Sequence, residues 1–257
     1  MTSTALSVNV WSPVSPRVHE LTNCTVAGHL TRLTVDSRLF HPTLTTSILT
    51  ESIHDEDLRG RTVLDLGCGV GPIAIGLALA GADHVYATDI MPDAIRLAAR
   101  NARLNGVAAR ITLRSGNLFE PVDGLKFDII VDDVSGVAEE AARLSSWFPP
   151  GVPSGGIDGT SSTVAILRQA RQYLKPDGYL LFPVLSLSRH QEIVETARNE
   201  FGKGFVQLTE RKIPFNQELK AHLPHLRELR DKGIIDFDEV RSRPFWTLRV
   251  FRAMSGA

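Results

Sequence analysis

The run Val63-Leu64-Asp65-Leu66-Gly67-Cys68-Gly69-Val70-Gly71-Pro72 constrains this chain more than any other stretch. An apolar strand-like segment meets three glycines at alternate positions, and Pro72 then opens a run with helical spacing. Glycine reaches positive φ and lets a ligand lie against the backbone with no Cβ between them. Strand, tight glycine turn and helix make the first half of a βαβ unit, which belongs in a sheet covered by helices. The chain can build one: 257 residues, 43% hydrophobic against 22% charged, form a full core without disulfides or a structural metal.

The same alternation repeats downstream. Strands are predicted at 62–66, 84–89, 111–114, 127–132, 179–184, 205–211 and 245–252. Helices are predicted at 72–80, at 92–105 up to Gly106, at 161–174 ahead of Pro176, and at 189–200 near Gly202. The fold class is therefore α/β, a doubly wound, seven-stranded and mostly parallel sheet. Residues 1–35, rich in Ser, Thr and Val with Pro13 and Pro16, read as an arm that is irregular or forms short strands. Residues 36–257 form the main domain. Two of its segments break the alternation and are expected to recognise substrate: 135–159, a lid, and 216–232, a polar helical insertion.

Asp89 closes the strand Val85-Tyr86-Ala87-Thr88-Asp89, 24 residues after Asp65. A carboxylate there can hold both hydroxyls of a ribose. A dinucleotide fingerprint needs a third glycine at position 72, where this chain has Pro72, and no Gly-Lys-Ser/Thr of a phosphate loop follows. What remains, Asp-x-Gly-x-Gly-x-Gly, suits an adenosyl ligand carrying an amino acid.

VLDLGCGVGPIAIGLA and YATDI resemble the glycine-rich and acidic motifs of the class I S-adenosylmethionine-dependent methyltransferases. The resemblance continues through DAIRLAARNARLNG, SGNLFEP, FDIIVDD and LKPDGYLLF, about residues 38 to 210. It implies a Rossmann-like fold whose last strand is antiparallel, and S-adenosyl-L-methionine as cofactor. It also implies that Gly67, Gly69 and Gly71 line the methionine portion beside Cys68, with Asp65 near the amino group. Asp89 would hold the ribose, Ile90 would lie against the adenine, and Asn117 and Leu118 would flank it, Asn117 standing where the family usually has an acid. Asp132 is counted with the cofactor residues, or else caps a loop.

The branch that resembles this chain most contains release-factor glutamine methyltransferases, on AARNARLNG, NLFEP and Gly155-Gly156-Ile157-Asp158-Gly159. Those enzymes carry Asn-Pro-Pro-Tyr after the fourth strand, where this chain has Asp133-Val134-Ser135-Gly136. An ionised Asp only accepts hydrogen bonds, so it suits an amine, hydroxyl or imidazole whose proton must leave, rather than a glutamine amide or adenine. Asp133 is the candidate base, and Ser135 either touches the acceptor or starts the next helix. Trp147 and Phe148 are candidate lid residues, and His222 a candidate substrate contact. Thr43 and Thr46 are expected to cap the helix after Phe40-His41-Pro42 or to contact the methionine carboxylate.

A net charge of -1 offers no general attraction for nucleic acid, which is not expected as a partner. Arg96, Arg100 and Arg103 at helical spacing read as a solvated face or a phosphate stripe. No metal is expected, since His222-Leu-Pro-His225 has a proline between its histidines. Two cysteines and the absence of a signal-like or spanning segment give a cytoplasmic protein with no membrane contact. The expected reaction is methyl transfer to nitrogen or oxygen of a small molecule. The alternatives are a protein side chain or RNA as acceptor, or a non-catalytic cofactor-binding protein.

Overall fold

The computed structural model describes residues 19–256, so the first 18 residues of the expected arm lie outside the described part. The elements in chain order are β1 (His19–Val26), β2 (His29–Asp36), α1 (Leu44–Glu51), β3 (Thr62–Leu66), α2 (Pro72–Leu79), β4 (His84–Asp89), α3 (Pro92–Leu104), β5 (Ile111–Ser115), β6 (Phe127–Asp132), α4 (Glu139–Arg143), α5 (Ser161–Ala170), β7 (Leu174–Leu185), α6 (His190–Phe201), β8 (Phe205–Pro214), α7 (Gln217–Ala221), α8 (Leu223–Asp231), β9 (Asp238–Val240) and β10 (Arg243–Met254).

The main sheet runs β5-β4-β3-β6-β7-β10-β8, with β9 added against β10. β3 pairs in parallel with β4 and β6, and β10 is antiparallel to both β7 and β8. This is the class I methyltransferase arrangement, with the expected last strand wedged antiparallel between its two predecessors. Strand order reverses between β3 and β6. In an open α/β sheet the carboxyl ends at such a reversal form a crevice, and β3, β4 and β6 deliver the glycine loop, Asp89 and Asp133 to it.

Alternation along the strands splits the core into two layers. Val63 packs with α2 and the hairpin, Leu64 with α5 and α6. α2 is apolar all round because the β1–β2 hairpin covers its outer side. Gly76 is needed there, since a Cβ on it would meet Val26 at 2.4 Å. Residues 19–36 are thus a hairpin docked on α2 and α3. Asn101 takes the backbone N–H of Thr34 on Oδ1 and donates Nδ2 to Thr34 O and Val70 O.

Two boundaries differ most from expectation. The helix predicted over 161–174 ends at Ala170, and β7 starts at Leu174 rather than Tyr179. Pro176 sits inside the irregular start of that strand, where Asp177 has φ +61° and the pairing with β6 shifts register between Phe127 and Ile129. The helix-ending signal of proline was therefore a strand bulge. Pro224, between His222 and His225, occupies the first turn of α8, where its missing N–H costs nothing.

Candidate active site

Two cavities meet at the carboxyl ends of β3, β4 and β6. Phe40, Asp133, Val134 and Ser135 belong to the walls of both. The first cavity lies over the glycine loop and is bounded by Gly67, Gly69, Asp89, Ile90, Asn117 and Leu118. The second is walled mainly by Trp147, Phe148, Leu185, Ile213 and Trp246, and among the described residues Asp133 is the one charged residue in its wall.

The glycine loop keeps its shape by positive φ at Gly67 (+70°), Gly69 (+53°) and Gly71 (+89°). A Cβ on Gly67 would come within 2.7 Å of Val134 Cγ1, whereas one on Gly69 would meet nothing closer than Phe40 O at 3.8 Å. Gly69 is thus open to the cavity, and its N–H donates to Asp89 Oδ2 at 2.9 Å. Asp89 Oδ1 accepts from Met91 N at 2.8 Å, so the carboxylate is fixed while each oxygen keeps a spare lone pair. Burial raises the Asp89 pKa, partly offset by these two bonds. Ile90 is 56% exposed at the cavity rim, an apolar surface facing open space. A fixed carboxylate, an open glycine turn, an exposed apolar face and an amide at Asn117 together fit the adenosine and methionine parts of S-adenosylmethionine.

Four expected cofactor residues do not line this cavity. Asp65 is completely buried, and its Oδ2 accepts from Ala74 N at 2.9 Å, holding the first turn of α2 under the loop. Cys68 turns into the core while its N–H bonds Thr88 O at 2.9 Å. Gly71 packs on Ala98, where a Cβ would come to 3.1 Å. Asp132, on the opposite face from Asp133, caps its own turn by accepting from Val134 N at 2.9 Å. The period of two along β6 and the helix start at Pro72 send these side chains inward. His222 is also corrected: it lies exposed between α7 and α8, away from both cavities.

Asp133 stands where the cavities join. Its Oδ2 accepts from the hydroxyl of Thr46 at 2.8 Å, and that hydroxyl also receives Thr43 N in the capping box of α1. Burial pushes the Asp133 pKa up to about 7, with the Thr46 bond working against the rise. Such a carboxyl exchanges protons near neutral pH. Ser135 lines both cavities with its hydroxyl unpartnered among the described residues, and the next helix begins only at Glu139. Phe148 packs on Phe40 with ring centroids 5.2 Å apart, and Trp147 meets Trp246 edge-on at 6.0 Å. Segment 135–159 is tied to segment 216–232 by Glu218, which accepts from Ser146 N and Oγ at 2.9 and 3.0 Å.

Ile213, Asn216 and Trp246 carry no sequence signal for the site, and Thr46, expected at the cap of α1 or the methionine carboxylate, takes part in the capping box of α1 and bonds Asp133. Trp246 lies 113 residues from Asp133 in the chain and carries no local motif. The Gly155–Gly159 run is structural: a Cβ on Gly159 would come within 2.7 Å of Ala138 N, and Asp158 pairs with Arg189 at 3.1 Å. Arg96, Arg100 and Arg103 are exposed on α3, and Arg96 pairs with Asp93. Among the described residues, no helix is long and apolar enough to cross a membrane.

Residues 40–166 match the family described as ribosomal protein L11 methyltransferase (PrmA). The chain is 30% identical over 191 residues to the release factor glutamine methyltransferase of Moorella thermoacetica, covering 67% of this chain and 65% of the relative. It is 35% identical over 149 residues to a ribosomal protein L11 methyltransferase of Escherichia coli, covering 56% and 47%. The chain thus spans about half to two thirds of the length of these relatives. In fold it matches the Thermus thermophilus 16S rRNA N2 G1207 methyltransferase in complex with AdoMet and guanosine, at TM-score 0.60, 17% identity, and coverage of 95% and 52%. It also matches the Methanocaldococcus jannaschii tRNA m1G37 methyltransferase, at TM-score 0.57, 16% identity, and coverage of 91% and 56%.

These matches overturn the expected small-molecule acceptor and the setting aside of nucleic acid, because the relatives are named for proteins and the fold matches for RNA. The cavity beside Asp133 could admit a small molecule. A single side chain or base inserted from a macromolecule leaves the same footprint, so cavity size does not separate the two.

Proposed function

Because this chain belongs to the class I S-adenosylmethionine-dependent methyltransferases, we propose that it transfers the cofactor's methyl group to an amine nitrogen on a protein side chain. The observation that carries this reading is the wall Asp133-Val134-Ser135, shared by the cavity that fits the cofactor and the apolar cavity beside it. A connected pair of cavities gives the methyl a direct route, which a binding protein would not need.

S-adenosylmethionine, when bound, supplies a methyl on positively charged sulfur, which departs as a neutral thioether. Asp89 would hold the ribose, and Gly67 and Gly69 would admit the methionine part against the backbone. The protein's part in an in-line displacement is to align the nucleophile and exclude water. Phe148, Leu185, Ile213 and Trp246 suit the aliphatic stem of a lysine-type side chain, and Asp133 suits its nitrogen. The amine must present a free electron pair, so Asp133 takes a proton from it. With the cofactor bound, the freed electron pair would form the new N–C bond as the C–S bond breaks.

A protein acceptor is favoured by the names of the sequence relatives, and an amine rather than an amide by Asp133 in place of Asn-Pro-Pro-Tyr. A cytoplasmic setting agrees with the two free thiols, Cys24 and Cys68. The test is incubation with methyl-labelled cofactor and a bacterial ribosomal and soluble protein extract, followed by mass spectrometry. Label on a side-chain amine is the expected result; label confined to RNA, or to glutamine amides, would overturn the reading.

A further inference from the structure

The two edges of the β1–β2 hairpin are treated differently. In an antiparallel pair, alternate residues direct their N–H and C=O groups away from the partner strand. On β2 the outward residues include Leu30, Arg32 and Thr34, and the last two are satisfied by asparagine amides from α3. Asn105 takes Arg32 N at 3.0 Å and donates to Arg32 O at 2.7 Å, as Asn101 does for Thr34. That edge is closed at Arg32 and Thr34.

The register pairs Arg32 with Asn23 and Thr34 with Leu21, so Asn23 and Leu21 are the outward residues of β1. Among the described residues, no hydrogen bond reaches their outward groups. Farther along, the outward Thr25 O accepts from Ser47 Oγ at 3.3 Å, which brings α1 alongside the edge. A groove runs between them, walled by Asn23, Cys24, Pro42, Thr43 and Leu44. It continues past Trp147 and Pro149, and Thr43, Leu44 and Trp147 also wall the acceptor cavity. Leu44 is 55% exposed along this path, and Leu21 is 79% exposed on β1 beside it.

We propose that the β1 edge docks an extended segment of the methyl-accepting protein, pairing with Leu21 and Asn23 as a third strand and leading the acceptor side chain past Leu44 into the cavity at Asp133. This rests on the protein-acceptor reading above. Open backbone donors and acceptors in strand geometry are matched by another polypeptide backbone, not by a phosphate chain, and the groove's continuity with the cavity fixes where that polypeptide leads. Two asparagines hold the β2 edge at Arg32 and Thr34, whereas the facing positions of β1, Asn23 and Leu21, have no such partner among the described residues.

Asn23→Pro removes the outward N–H without removing a bond of the fold, since proline is tolerated on an edge strand where its nitrogen faces out. The full-length protein, loaded with S-adenosylhomocysteine, is mixed with synthetic 15-residue lysine-centred peptides, and amide hydrogen exchange is followed. Methyl transfer is measured in parallel on these peptides and on N-acetyl-lysine amide. Slowed exchange at Leu21 and Asn23 on adding peptide is expected. So is an increase of about fivefold or more in KM for the peptides in Asn23→Pro, with kcat and the KM for the small amine unchanged. Peptide methylation with exchange at the edge unchanged would overturn the docking, as would protection already present without peptide or an unaltered peptide KM in the variant. Protection by peptide with no amine methylation would support the docking and overturn the amine acceptor, so the two readings fail separately.

Discussion

The hydroxyl of Thr46 donates to Oδ2 of Asp133 across 87 residues of chain, joining the cap of α1 to the carboxyl between the two cavities. This bond favours the ionised form and opposes the desolvation that raises the Asp133 pKa. Thr46→Val should therefore move the acidic limb of the kcat/KM profile to higher pH and lower the rate at neutral pH, and Thr46→Ser should restore both. An unmoved profile in Thr46→Val would separate the threonine from the base.

Asp133→Asn keeps the shape and loses the basicity. Turnover should fall by roughly 10²–10⁴, the usual contribution of a general base, while calorimetric affinity for S-adenosylhomocysteine changes little. In the parent protein, activity should decline as pH falls through about 7, since protonated Asp133 cannot take the amine's proton.

Asp132 gives a stability prediction of opposite character. It is fully buried, its Oδ2 has no partner among the described residues, and its pKa is raised to about 7 by burial. A carboxyl with a folded pKa above its unfolded value contributes stability that is fully present below the unfolded value of about 4 and is lost as pH rises through about 7. Asp132→Asn, which cannot ionise, should melt higher than the parent at pH 8. The advantage should shrink as pH falls below 7, as read by thermal denaturation across pH.

Gly67 and Gly69 should respond differently to alanine. Both have positive φ, which costs a non-glycine residue about 1 kcal/mol or more. Only at Gly67 does the new Cβ also strike a neighbour, Val134, next to Asp133. Gly67→Ala should lose more stability than Gly69→Ala and lower kcat as well. Denaturant titration with parallel kinetics checks the ordering.

Asp89→Ala removes the carboxylate that fits the ribose and also the partner of Gly69 N and Met91 N. Losing the two hydrogen bonds that the charged carboxylate would accept from the ribose hydroxyls corresponds to about a 100-fold or greater loss of cofactor affinity. Unchanged affinity by calorimetry would remove the ribose assignment.

Much of this protein is local and was readable as such. The strand and helix periods placed all seven main strands, and Gly67, Asp89 and Asp133 fell at strand ends because each strand has one carboxyl end and the motif marks it. Misread positions arose where a local signal has two structural meanings. Cys68 and Gly71 sit in the glycine motif yet serve the core and the helix start, and Pro176 marks a bulge rather than a helix end. What only the tertiary structure decided was the company each residue keeps. Thr46 reaches Asp133, Trp246 walls the acceptor cavity with Trp147, and Asn101 and Asn105 close one hairpin edge while the other stays open. Periodicity along a chain reports which face a side chain takes. Which distant face it meets is set by packing the whole sheet and its helices at once.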